Sequence, residues 1–235
     1  MQTQIDHLVV VAKTLEAGVA WCEATLGVTP GPGGEHALYG THNRLSKIAT
    51  PANPLAYLEI IAINPLATAR PAAAAKRWFD MDDPVLQAAV AIQPQLVHFV
   101  ASTDDIQSAL SALQALAIDC GPVVVASRQS AKGLLQWQIT VRPDGKRLFD
   151  GALPSLIQWG NPGSAEPLRL HPRNSLPRSG VSLKGITLTH PEASRLQAAC
   201  KAIGLGGIAI EVGPANLVAT LQTPKGLVTL QSGAQ

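Results

Sequence analysis

Cysteine is scarce in this chain: Cys22, Cys120 and Cys200 are an odd number, widely spaced, and each lies among apolar residues. That pattern argues against a disulfide framework or a zinc knot and suits buried thiols in a reducing, cytoplasmic setting. An excess of one charge is also lacking. Eighteen basic and 16 acidic residues are scattered along the chain and leave a net charge of +2. No dense cationic stripe results, so nucleic acid is not an expected partner. The opening MQTQIDHLVVVAK has no basic run ahead of its apolar stretch, and Lys13 interrupts that stretch, well short of the roughly 20 residues a membrane span needs. Neither an export signal nor a membrane span is expected. A Walker phosphate loop, a Rossmann glycine fingerprint, a nucleophile elbow and a paired CxxC are all absent. The basic segment at 70–77 reads as a solvated helix end.

What the chain does have is repetition. With 46% apolar side chains, its 235 residues can bury one large core or two small ones unaided. Three stretches share one grammar: an apolar strand, a capped amphipathic helix, then strands broken by Gly and Pro. In the first, a strand over 5–12 precedes a helix from Leu15 to Leu26, capped by Thr14 and stopped by Gly27. Strands are predicted at 36–39, 44–48 and 57–63. The second starts in LVHFVAS at Leu96, with Asp104 and Asp105 supplying negative charge to the first helical turn. Strands follow at 123–126, 134–141 and 155–159. The third starts in GITLTHP at Gly185, with a helix ending at Gly204 and strands at 208–212, 217–222 and 227–231. The expected class is α+β, built from three copies of a βαβββ module with curved mixed sheets. The divisions are 1–65 for the first module, 66–95 for a helical connector and 96–160 for the second module. A linker rich in Pro and Gly covers 161–183, and a shorter third module covers 184–235.

Alternation along the strands then sorts the side chains. Leu8 and Val10 are expected under the helix, with His7 and Val9 facing the concave side. In the second copy Val97 and Phe99 go under the helix and His98 and Val100 face inward; in the third, Thr187 and Thr189 face inward. On the last strands Glu59, Gln158 and Thr229 take the corresponding polar positions. A buried ionised Glu is costly unless paired, hydrogen-bonded or bound to a cation. His7 and Glu59 are therefore candidates for one shared site, although Glu59 could equally be a buried partner of Arg44 or His36.

The stretches IDHLVVVAKTLEAGVAWCEATLGV, GGEHALYGTHNRL and AYLEIIAINP resemble the glyoxalase-like branch of the vicinal oxygen chelate superfamily. The resemblance continues more weakly through LPSLIQWG and HPRNSLP to the end. It implies paired modules curled into an open barrel around a divalent metal (zinc, nickel, manganese or iron). Carried over by position, the ligands are His7 and Glu59 from the first copy and His98 and Gln158 from the second; the alternative for either histidine is a hydrogen-bonded interior residue. Neutral Gln158 departs from the carboxylate that many metal-binding members carry there. Homodimers are also an implication of the resemblance.

Several chemistries remain open. A metal-dependent isomerase or lyase would chelate a small oxygen-rich substrate, with His36 transferring protons. Two histidines with one carboxylate also form the donor set of non-haem iron oxygenases, which makes a ring-cleaving dioxygenase the enzymatic alternative. A metal-free module that sequesters small molecules is the alternative of a different class, and a structural role is the third. Asn43 would bind substrate or only serve a turn with His42. Arg128 is a candidate for a substrate carboxylate, and Trp137 faces a cavity or core. Trp21, Trp78 and Trp159 read as packing residues.

Overall fold

The computed structural model describes residues 1–67, 76–130, 132–160 and 164–233. Most of the segment read as a basic helix end, 70–75, lies outside them. The first module runs β1 (Thr3–Val11), α1 (Leu15–Leu26), β2 (Gly31–His36), β3 (Thr41–Lys47) and β4 (Tyr57–Ile63). Helix α1 starts where Thr14 accepts a hydrogen bond from the Ala17 amide and ends at Gly27, whose φ of 74° is left-handed. It lies so close to the sheet that a Cβ on Gly18 would stand 2.4 Å from Ile60 Cγ2. The connector contributes α2 (Pro84–Ile92), capped by Asp83. The second module runs β5 (Gln95–Thr103), α3 (Ile106–Gln114), β6 (Val123–Ser130), β7 (Gly133–Thr140) and β8 (Ser155–Trp159).

These two modules form one eight-stranded sheet in the order β2-β3-β4-β1-β5-β8-β7-β6. Within it β1 pairs in parallel with β4 and β5 with β8, while β1 and β5 join the halves antiparallel. The sheet curls until its edge strands approach, with Arg128 of β6 lying over Gly34 of β2. This is the open barrel of the vicinal oxygen chelate fold.

The last unit, β9 (Ser182–His190), α4 (Ala193–Ala202), β10 (Ala209–Val212), β11 (Asn216–Thr223) and β12 (Gly226–Gln231), keeps the element order. Its strand order differs, β10-β9-β11-β12, with β9 between a parallel and an antiparallel neighbour. It packs on the outside of the barrel. Leu183, Ile186, Leu188 and Leu217 join Leu8, Val10, Phe99 and the helix residues Cys22, Leu26 and Leu113 in one apolar layer. Thr187 and Thr189 lie on the opposite, half-exposed face, so the expectation that they point into a cleft is corrected. A second apolar cluster fills the barrel interior: Val9, Val11, Ile61, Val97, Val100, Trp137, Ile157 and Trp159, with Trp78 and Phe79 from the connector. The three cysteines are free and buried, and no helix among the described residues is long and apolar enough to cross a membrane.

Candidate active site in the first module

Strand parity on β1 and β4 brings His7 and Glu59 into the same hollow. Leu8, Val10, Leu58 and Ile60 face the helices, which turns His7, Tyr57 and Glu59 inward. The His7 Nε2 and Glu59 Oε2 atoms stand 3.6 Å apart, and both side chains are almost wholly buried. A bulge at Asp6, between the pairs Ile5–Ala101 and His7–Val100, lets two consecutive side chains look inward. Asp6 accepts a hydrogen bond from His7 Nδ1 at 2.7 Å. Because a carboxylate only accepts, the proton sits on Nδ1 and the Nε2 atom is presented to the cleft. Tyr57 stacks on the His7 ring at 4.5 Å.

Asp6 is fully buried, and burial alone would raise its pKa. The electrostatic pull of the His171 and His7 rings and the hydrogen bonds they donate outweigh this and hold the carboxyl well below its usual 3.8. Its second oxygen accepts from Trp159 Nε1 at 2.8 Å and from His171 Nε2 at 3.1 Å.

Asn43, on β3, orients Glu59. Its carbonyl oxygen accepts the Gly34 amide at 2.8 Å, which fixes the side-chain amide with its NH2 group towards Glu59. That group donates to Glu59 Oε1 at 2.5 Å and lies 3.4 Å from His36 Nε2. The free Oε2 is left facing His7. His36, at the end of β2, touches Thr41 Oγ1 through Nδ1 at 3.1 Å and reaches within 3.9 Å of Glu59 Oε1. Burial, then the positive charge of Arg128, pushes the His36 pKa down to about 3, so its imidazole is neutral at physiological pH. Arg44 is exposed on the outer face and does not partner Glu59.

Arg128 reaches across the barrel opening from β6. A Cβ on Gly34 would lie 1.8 Å from its Nη1, and one on Gly33 would strike the Asn43 carbonyl. Gly33 is therefore required where the two edges meet, because backbone stands in the way, whereas at Gly34 a side chain would displace only the tip of Arg128. No ion pair involving Arg128 forms among the described residues. Around these groups stand Trp78, Phe79, Trp137 and Trp159, and Pro172 closes one side. The free volume among these groups is about 30 Å³, room for a water-sized group, so a larger ligand requires the lining side chains to move aside. Phe79 and Asp80 hold positive φ values of 59° and 57°, which costs on the order of 1–3 kcal/mol each. The Asp80 to Arg147 ion pair at 2.7 Å and the Asp80 amide bond to Gly145 O at 2.9 Å secure this turn. It drives Trp78 onto Tyr39 at 4.2 Å and edge-on to His36 at 5.0 Å.

Two expected ligands fall elsewhere, and both are corrections. His98 faces inward opposite Val9, but both ring nitrogens are spent. Nδ1 donates to Gly151 O at 3.0 Å, and Nε2 accepts the Ser155 amide at 3.0 Å. Phe79 covers the ring at 5.3 Å. Burial, then Arg147, lowers its pKa to about 3, and it acts as a neutral interior strut. Gln158 lies between inward-facing Ile157 and Trp159, so it points to α3, where its Oε1 accepts the Ile106 amide at 2.9 Å.

Strand register explains the miss. Val9 pairs with Glu59 and Val100 pairs with Ser155. His7 pairs with Val100 as His98 pairs with Val9. The internal counterpart of Glu59 is thus Ser155, three residues before the position carried over by resemblance, and its hydroxyl indeed lies 3.1 Å from His98 Nε2. The four-donor divalent-metal centre, and with it the two-histidine, one-carboxylate set of His7, His98 and Glu59, is not assembled. Asn43 already serves Glu59 Oε1 and His36, which leaves His7 Nε2 and Glu59 Oε2 as open donors. Among the described residues no three His, Cys, Asp or Glu side chains are disposed to hold an ion, fewer than the three or four that protein metal sites ordinarily use.

Asp6, Tyr57, His171, Trp78 and Trp159 were missed or read as packing. An acid between Ile5 and His7 inside an apolar strand was the one available signal for Asp6. A larger cleft of about 630 Å³ lies near Trp21, Ile92 and Gln231, but its charged groups are engaged, Asp80 with Arg147 and Asp83 in capping α2.

A family model described as a glyoxalase-like domain matches residues 5–204. A hypothetical protein from Staphylococcus aureus is similar in structure with a TM-score of 0.58 and 16% identity, covering 98% of this chain and 85% of that one. Methylmalonyl-CoA epimerase of Streptomyces coelicolor aligns with a TM-score of 0.40 and 17% identity over 67% of this chain and 95% of that one. Its counterpart from Mycobacterium tuberculosis aligns with a TM-score of 0.36 and 12% identity, covering 66% of this chain and 85% of that one. No curated protein matches the sequence.

Proposed function

The chain belongs to the glyoxalase-like domain family, and from that premise we propose that its first module is a proton-transfer site for a small anionic molecule bearing a carbonyl oxygen. The observation that carries this reading is the open pair formed by Glu59 Oε2 and His7 Nε2, 3.6 Å apart within an aromatic-walled cleft. Glu59 accepts a proton from the carbon next to the carbonyl, and the electron pair passes to the carbonyl oxygen as an enolate. Return of that proton to the neighbouring atom, directly from Glu59 or relayed through the open His7 Nε2, completes an isomerisation. Asn43 holds Glu59 through Oε1 and leaves Oε2 as the working atom. Arg128 supplies the positive charge that binds the substrate's anionic group. The aromatic walls exclude water, which strengthens each of these charges. His36, neutral beside Asn43, completes the polar wall and can accept a hydrogen bond from a substrate hydroxyl.

Deuterium wash-in tests this directly. Acetoacetate and 2-oxobutyrate are incubated with the protein in heavy water, and loss of the carbon-bound proton is followed by NMR. Catalysed exchange by the wild type, abolished in E59Q and weakened through ligand affinity in R128M, is the expected result. Exchange unaffected by E59Q overturns the assignment of the base. A stoichiometric divalent ion that copurifies and is lost from both H7A and E59A would replace this reading with metal chelation by His7 and Glu59.

A further inference from the structure

The segment between barrel and last unit takes part in the site. His171 is completely buried and sits immediately before the short helical turn Pro172–Asn174. Its Nδ1 accepts the Arg173 amide at 3.1 Å, so the ring proton must sit on Nε2, which donates to Asp6 Oδ2 at 3.1 Å. Trp159 meets His171 edge-on at 4.8 Å and donates to the same oxygen. The segment is anchored to the barrel just beyond this contact. Lys47 Nζ donates to Arg173 O at 2.9 Å, Ser179 Oγ donates to Lys47 O at 2.5 Å, and the Leu183 amide donates to Ile48 O at 2.9 Å.

Asp6 thus has one oxygen on His7 and the other held by two donors that belong to different parts of the chain. Removing the His171 donor leaves a buried carboxylate one hydrogen bond short beside a cavity, and the carboxylate must turn to recover it. Turning it releases His7 Nδ1, and with it the rule that Nε2 is the nitrogen facing Glu59.

We propose that His171 is a positioning residue: through Asp6, and together with Trp159, it fixes the tautomer and ring orientation of His7. The proposal rests on the reading that His7 is the working imidazole, but its test does not require turnover. Nitrogen-15 and proton correlation spectra of the histidine rings are recorded for the wild type, H171L, H171Q and W159F. In the wild type His7 appears as a single Nδ1–H tautomer with a slowly exchanging, hydrogen-bonded Nδ1 proton. H171L mixes the two tautomers and lowers acetoacetate affinity by about tenfold, the lower end of what loss of an orienting hydrogen-bond partner does elsewhere. H171Q, whose side-chain amide can still donate, restores the single tautomer. W159F shifts the tautomer ratio part of the way, and it decides the matter if H171L does not fold. An unchanged His7 tautomer in folded H171L, or in W159F when H171L does not fold, overturns the proposal. A changed tautomer without any change in wash-in leaves the positioning role standing and removes the proton-transfer reading instead.

Discussion

The two halves of the barrel carry the same imidazole in opposite states. In the first, His7 is fixed at Nδ1 by a charged, bulge-borne Asp6 and faces a carboxylate with one oxygen free. In the second, the bulge residue is Val97, the carboxylate position holds Ser155, and both His98 nitrogens bond to neutral backbone or hydroxyl groups under the Phe79 ring. The matching registers of the two modules give two equivalent positions on the inner face. Three local differences left one open for chemistry and turned the other into part of the core.

Exchanging residues between these halves tests the contrast, beginning with the largest expected effect. E59Q lowers wash-in by at least about a hundredfold, the usual scale for losing a positioned base, whereas S155A at the equivalent place changes it less than about twofold. H98N reverses the pattern: urea unfolding shows a loss of about 2–4 kcal/mol from unsatisfied buried groups, with exchange per folded molecule retained. Acid sensitivity comes next. His36 and His98 have folded pKa values of about 3 against an ordinary 6.5, so the unfolded chain binds their protons first. Their contribution is complete above pH 6.5 and declines as pH falls towards 3. Asp6 adds a further limb, present above its ordinary 3.8 and lost below it. Unfolding midpoints between pH 7 and pH 3 therefore fall more steeply in the wild type than in H98N. The smallest effect is that of Q158A, about 1 kcal/mol from the lost bond to the Ile106 amide, with wash-in untouched.

Much of the architecture was legible because it rests on local rules. The α1 limits follow from Thr14 and Gly27, and β4 and β8 span the predicted residues. β2 was misplaced, occupying Gly31–His36 with a turn after it, because its glycine-rich sequence has no apolar alternation and its place is set by Asn43 and Arg128. Parity located His7 and Glu59 correctly on straight strand segments. It failed at Val97, where a bulge repeats the inward face, and at Gln158, which was aligned by resemblance instead of by partner strand. His171 lay beyond reach, since its role exists only once a distant segment meets the Asp6 bulge. The last unit shows the limit of element order: strand, helix and three strands recur there, but β9 takes a different neighbour and no hollow forms.

Ring nitrogen NMR of the wild type during titration with acetoacetate tests the central contrast most directly. The account predicts that the His7 signals move with ligand while those of His98 hold their Nδ1–H state unchanged. Movement of His98 with ligand, and a silent His7, would contradict it.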